Sequence, residues 1–205
     1  MHHKFLTLSL ASALLMGGFQ VANAAPESYS FDPTHTNILW KAEHFGFSKP
    51  SGRFGLASGE LILDEEAPEN SSVEVVIDTT DLVTGIEKFD AHLKSSDFLD
   101  VENFPTATFK STAVEVTGEK TAKVTGDLTL HGVTKPVTLD MTLNKIDINP
   151  ISEKKTAGFS GSINLKRSDF GISMYVPNVS DEVEISIEAE AAYTAPAITK
   201  VPAVE

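Results

Sequence analysis

The sequence contains no cysteine. That excludes disulfides and thiolate metal sites, and it leaves burial alone to hold an exported chain together. It also excludes a lipoprotein anchored through an acylated thiol. Basic residues are scarce, 16 Lys and Arg against 29 Asp and Glu, for a net charge of −13. Nucleic acids and anionic membrane surfaces select basic patches, so neither is an expected partner. The acidity serves solubility.

Chemical motifs are scarce as well. Beyond residue 24 the histidines are His35, His44, His92 and His131, and no two stand at i,i+2 or i,i+4. A local metal site is therefore not expected. The glycines of Gly52–Gly59 lack the Lys-Ser/Thr and the following helix of a phosphate loop. No nucleophile-elbow pattern supports a Ser-His-Asp triad, although triads can be assembled from distant parts. Asp90 and His92 are two apart on a helix and point different ways. The residues thus assign no catalytic group, no metal and no cofactor.

What is present begins with an address. Met1–Lys4 is weakly basic, residues 5–19 are apolar, and Ala22-Asn23-Ala24 is a small-x-small cleavage pattern. This reads as a secretory signal peptide over residues 1–24, which implies a periplasmic protein. A run of about 15 residues falls short of the roughly 20 that span a bilayer. Losing Lys4 takes the charge from −13 to −14. Residues 25–194 then form one domain, and residues 195–205 a flexible tail.

Within the domain most runs alternate with period two, the mark of strands with one dry and one wet face. Ile38, Trp40, Ala42 and His44 share a parity; so do Val73, Val75 and Ile77, and Val183, Ile185 and Ile187. In Gly126–Leu139 two long strands flank a tight turn at His131-Gly132, with Val124, Leu128, Leu130, Val137, Leu139 and Met141 as the dry row. Glycines in 52–59 suggest a bend or bulge. Long half-polar strands imply an antiparallel sheet wet on one side. Closure into a barrel of about eight strands removes its edges. A sandwich is the alternative. A membrane barrel would put apolar residues outward and carry aromatic girdles, against the Glu-rich faces here.

One segment, about residues 84–100, breaks the alternation. Thr84-Gly-Ile-Glu87 has capping-box spacing, and Ile86, Phe89 and Leu93 share a helical face. Asp90 and Lys94 form an i,i+4 pair. This helical insert is placed to cover an open barrel end. Phenylalanine is frequent, at 12 against three Tyr and one Trp. Many fall on the dry face or the insert: Phe54, Phe89, Phe98, Phe109, Phe159 and Phe170. Each is either core packing or the wall of a bore. A barrel of about eight strands can be filled or can hold one slender ligand.

An ordered set of motifs completes the reading. It comprises Asp32-Pro-Thr-His35, His44 with Gly46, Gly52-Arg-Phe54 with Gly59, and Asp90-Ala-His-Leu93 with Ser95 and Asp97-Phe98. It continues with Phe104-Pro-Thr-Ala-Thr-Phe109, Gly126-Asp-Leu-Thr-Leu-His-Gly-Val-Thr-Lys-Pro-Val137, and Arg167-Ser-Asp-Phe-Gly171. In this order, across about residues 29–193, the chain resembles the YceI-like family of periplasmic polyisoprenoid-binding proteins. The resemblance implies a lipocalin-like antiparallel barrel that holds an isoprenoid-type lipid, either a polyprenyl lipid or an isoprenoid quinone, without stable membrane insertion; a homodimer is compatible with it. The family often has Arg before the Asp of the helical motif, where this chain has Phe89.

The expected lipid wall is Trp40, Val75, Ile77, Leu93, Phe98, Phe109, Leu128, Leu139, Met141, Phe159, Ile163, Ile185 and Ile187. The expected head-group contacts are His35, Asp90, His92 and Arg167. The alternatives are a lipid hydrolase or isomerase in the same barrel, and a filled barrel that acts as a stress-related partner-binding protein.

Overall fold

A computed structural model describes residues 25–196. The expected signal peptide, residues 1–24, and residues 197–205 of the expected tail lie outside the described residues. Nine strands run along the chain: β1 (Glu27–Phe31), β2 (Asn37–His44), β3 (Ser51–Leu63), β4 (Ser72–Val83), β5 (Thr106–Val116), β6 (Thr121–Leu130), β7 (Val133–Ile148), β8 (Lys155–Lys166) and β9 (Val179–Pro196). One helix, α1 (Glu87–Lys94), and two short 3₁₀ turns, Pro68–Asn70 and Arg167–Phe170, complete the described elements. The last strand continues to Pro196, two residues past the expected end of the domain.

All strand pairs are antiparallel, and β3 pairs with β4 to close the sheet. Nine segments make eight lanes, because β1 and β2 share the lane between β3 and β9. Glu27 lies opposite Leu63 and Pro196, and Trp40 opposite Gly52 and Ile185. The lane breaks between Phe31, opposite Ala191, and Asn37, opposite Glu188. The intervening Asp32–Thr36 turn bonds largely to itself. Asp32 Oδ1 accepts from Thr34 N at 2.8 Å, and Oδ2 lies 2.7 Å from His35 Nδ1.

Register shifts occur in β3 near Gly55 and Ala57, in β5 between Ser111 and Ala113, and in β7 between Leu143 and Lys145. Such bulges bend a strand and let long strands wrap a closed barrel. They explain the glycine-rich stretch of β3 and the change of phase before Val114. At the β6–β7 turn both His131 (φ 51°) and Gly132 (φ 73°) are left-handed, as a two-residue hairpin of matching twist requires. His131 Nδ1 lies 3.1 Å from the Phe170 carbonyl and its ring 4.7 Å from that of Phe104. The turn histidine is structural.

The helix departs from its expected start. Gly85, at φ 86°, turns the chain before the first helical residue, so Ile86 becomes the N-cap and has no side-chain cap bond. Thr84 therefore does not cap the helix. Instead Asp90 reaches back and accepts from Thr84 N at 2.7 Å and Thr84 Oγ1 at 2.5 Å. It does so in place of an ion pair with Lys94. A second turn folds under α1, with Leu99 N bonded to Leu93 O and Val101 N to Lys94 O.

Candidate functional site: a bore through the barrel

Inward positions along β7, and Val183, Ile185 and Ile187 of β9, are half-buried rather than buried, alternating with exposed neighbours. The reason is that they face a hollow. A cavity of about 580 Å³ runs inside the barrel, bounded at one end by α1 and the β8–β9 connection and at the other by Glu65, Glu119 and Lys120. Its size falls in the roughly 300–1,000 Å³ range of ligand sites. Among the described residues, buried side chains form two apolar clusters. One joins Tyr29, Leu61, Leu63, Ala157 and Ala191 towards the far end; the other joins Phe109, Leu128 and Phe170. The interior is thus not filled, which sets aside the packed-barrel alternative.

Every apolar residue expected in the wall borders this cavity: Trp40 and Ile185 beside α1, then Val75, Ile77, Phe109, Leu128, Leu139, Met141, Phe159, Ile163 and Ile187 along the bore, with Leu93 and Phe98 from the insert. Period-two alternation on strands makes such a row inevitable once one face is known to point inward. Trp40 is 7% exposed, and Phe89 of α1 meets its indole edge to face at 6.3 Å. Its Nε1 is buried without a hydrogen-bond partner.

The four expected polar contacts are not brought together. His92 borders the bore, its ring 5.0 Å from Phe98 and 6.4 Å from Tyr175. Arg167 also borders it, its guanidinium 6.0 Å over the Phe98 ring. At 7% exposure it donates to three backbone carbonyls, Ile172 at 3.1 Å, Val179 at 3.0 Å and Ser180 at 2.8 Å. It therefore staples the β8–β9 connection. Burial lowers its pKa, with Asp181 opposing. Asp90 is held by Thr84, whose hydroxyl, with help from its amide and Lys94, keeps the carboxyl below its ordinary range against the opposing effect of desolvation. His35 sits in the break of the β1/β2 lane, away from the bore. Asp32 and, more weakly, Glu190 raise its pKa.

Tyr175 and Ile172 are wall residues that the alternation could not reveal, because they lie on a connection without periodicity. So are the polar groups of the far end. The only advance signal was the Arg167–Gly171 motif just before them. Among the described residues, no helix is long and apolar enough to cross a membrane.

A closed antiparallel barrel with a continuous apolar bore and a helix beside one end defines a class of small-ligand-binding barrels. Within that class the chain belongs to the YceI-like family, whose domain profile matches residues 29–191. A UPF0312 protein of Pseudomonas putida strain W619 is 44% identical over 168 residues, covering 82% of this chain and 86% of that one. Another, of Pseudomonas aeruginosa strain LESB58, is 41% identical over 183 residues, covering 89% and 94%.

Among solved structures, Burkholderia cenocepacia BcnA matches with a TM-score of 0.70 at 23% identity, over 78% of this chain and 98% of that one. A polyisoprenoid binding domain from Saccharophagus degradans, implicated in plant cell wall breakdown, matches at 0.63 and 14% identity, over 82% and 99%. These two likenesses establish the fold.

Proposed function

We propose that the protein is a periplasmic binding or carrier protein that holds one isoprenoid-type lipid, tail inward, in the barrel. The continuous apolar bore carries this reading. Strands of about ten residues tilted near 40° give a bore roughly 25 Å long, which suits an extended hydrocarbon tail. Burying ten chain carbons contributes about 8 kcal/mol before ordering costs, enough for useful affinity without chemistry. The Saccharophagus domain, named for polyisoprenoid binding, supports the ligand class.

The head group is a neutral one, such as a quinone ring. Phe89 occupies the position before Asp90 and packs on Trp40. Arg167 spends three of its donors on carbonyls. His92 and Arg167 remain the polar groups beside a head at the α1 end. A hydrolase or isomerase using His92 as base would need a carboxylate to orient its ring; Asp90, the acid nearest His92 in sequence, is committed to Thr84.

Native mass spectrometry of protein isolated from its own periplasm tests the reading. A discrete lipid adduct is expected, and extraction should yield quinone. Protein free of lipid would remove the carrier reading, whereas mainly polyprenyl phosphate would remove the neutral-head preference alone.

A further inference from the structure

The end of the barrel beside α1 presents exposed apolar side chains on three separate segments. Phe45 (46% exposed) and Phe47 (89%) form the β2–β3 turn, Ile86 (63%) precedes α1, and Tyr175 (49%) lies on the β8–β9 connection. The three segments are neighbours. Phe45 N donates to Asn178 O at 2.8 Å, joining the turn to the β8–β9 connection. On the other side Arg53, on the β3 arm of the same hairpin, stands opposite Val83, three residues before Ile86. Two of the four sit at left-handed backbone positions, Phe45 at φ 53° and Tyr175 at φ 62°. Such positions disfavour large side chains, so each carries a backbone cost; ring contacts of Tyr175 with His92 and Phe98, and of Phe45 with His44, offset part of it, while about half of each side chain stays exposed.

Charge is missing from the same surface. Residues 45–48, 84–86 and 171–179 contain no Asp, Glu, Lys or Arg, although 22% of the chain is charged and sixteen positions would ordinarily hold about three or four. The opposite end of the barrel differs in charge: there the exposed Val116, Ile148 and Ile151 stand beside connections that carry Asp64, Glu65, Glu66, Glu69, Glu119 and Lys120. The apolar surface also continues into the bore, since Tyr175 both borders the cavity and is half exposed. Charged groups flank it, the acids Glu87, Asp97, Asp100 and Glu102 and the bases Lys49 and Lys88, so the rim carries more acid than base.

We infer that this end docks reversibly on the surface of an electrically neutral phospholipid bilayer, with Phe47, Ile86 and Tyr175 entering the interface and the bore opening towards the lipid. An uncharged apolar patch with aromatic members fits the headgroup–acyl boundary. The flanking acids and the net charge of −13 set the sign of its preference: anionic lipid repels it. Four side chains give a weak, reversible attachment rather than insertion. The inference rests on the lipid-carrier reading, because a cargo drawn from a bilayer needs a mouth that meets one.

Flotation of the protein with phosphatidylcholine vesicles tests it. Intact protein should float, and F47S and I86S should each lower the bound fraction about tenfold, as expected for keeping one large apolar side chain in water. Replacing part of the phosphatidylcholine by phosphatidylglycerol should weaken binding, and added salt should restore it. Native mass spectrometry of F47S should still show bound lipid, which separates loss of docking from loss of cargo. Intact protein that stays unbound, F47S that floats like the wild type, or binding that strengthens with anionic lipid overturns the inference. So does a dimer in sedimentation that F47S converts to monomer, because a second copy would then cover the patch.

Discussion

Gly52 lies against the indole of Trp40, its partner across the β2–β3 ladder. A methyl group on its Cα would stand 2.7 Å from Trp40 Nε1 and 2.8 Å from the Val83 carbonyl. A side chain here displaces either the ring or the end of β4. Gly52→Ala should therefore destabilise the protein by about 1–3 kcal/mol. Urea unfolding followed by tryptophan fluorescence reads this directly, because Trp40 is the one tryptophan. An unchanged midpoint would show that the indole moves aside freely.

The same tryptophan reports on the bore. It borders the cavity, so a quinone entering from the α1 end should quench its emission in a saturable titration. Inward residues such as Ile163 and Ile187 border the hollow and belong to neither packed cluster, so added volume there is accommodated without the usual cost of overpacking. The double variant Ile163→Phe, Ile187→Phe should keep or raise the unfolding midpoint while weakening long-chain quinone binding at least tenfold. Loss of stability and binding together would mean that these positions are packed and not open.

The strand-borne part of the wall was legible in the sequence, because on strands parity alone assigns residues to a face. Trp40, Val75, Leu139 and Ile187 needed no more than that. The polar contacts were not legible, because they depend on how irregular connections fold. Arg167 reads as a free charge but is drawn under the β8–β9 connection by three carbonyls, and His35 reads as a mouth residue but belongs to the break between β1 and β2. Thr84 had the spacing of a helix cap, yet Gly85 turned left-handed and passed its partner role to Asp90.

That exchange has a pH consequence. The Thr84 hydroxyl holds the Asp90 carboxyl below its ordinary pKa, so the contact exists while Asp90 is ionised and is lost as pH falls through the lowered value. Amide exchange at Thr84, taken relative to its intrinsic rate at each pH, should be slow near neutrality and speed up in acid below the ordinary carboxylate range. In Asp90→Asn it should be fast at neutral pH and change little on acidification beyond the intrinsic trend. Protection at Thr84 that is equal in both proteins at every pH would sink the assignment.

The far end carries the other ion-pair device. Lys155 Nζ lies 2.5 Å from both Glu27 Oε2 and Glu65 Oε1, and Glu27 also accepts from the buried Tyr29 hydroxyl at 2.7 Å. The group ties β8 to β1 and to the β3–β4 connection, closing the barrel where the sheet order changes lane. Burial alone would raise the Glu27 carboxyl, but hydrogen bonds from Lys155 and Tyr29, with the lysine charge, leave it lowered. Those two carboxylates raise the Lys155 pKa in turn. A lowered carboxyl contributes stability above its unfolded pKa, about 4.3, and loses it as pH falls through the folded value. A lysine with a raised pKa contributes fully below its unfolded value, so its charge is constant across this window.

Lys155→Met keeps the aliphatic stem and removes the charge. It should cost about 1–2 kcal/mol near neutral pH, since the pair is only partly screened. The difference in melting temperature between wild type and variant should shrink as pH drops below 4. A difference that stays constant from pH 7 to pH 3 would assign the lysine's contribution to packing of its stem instead.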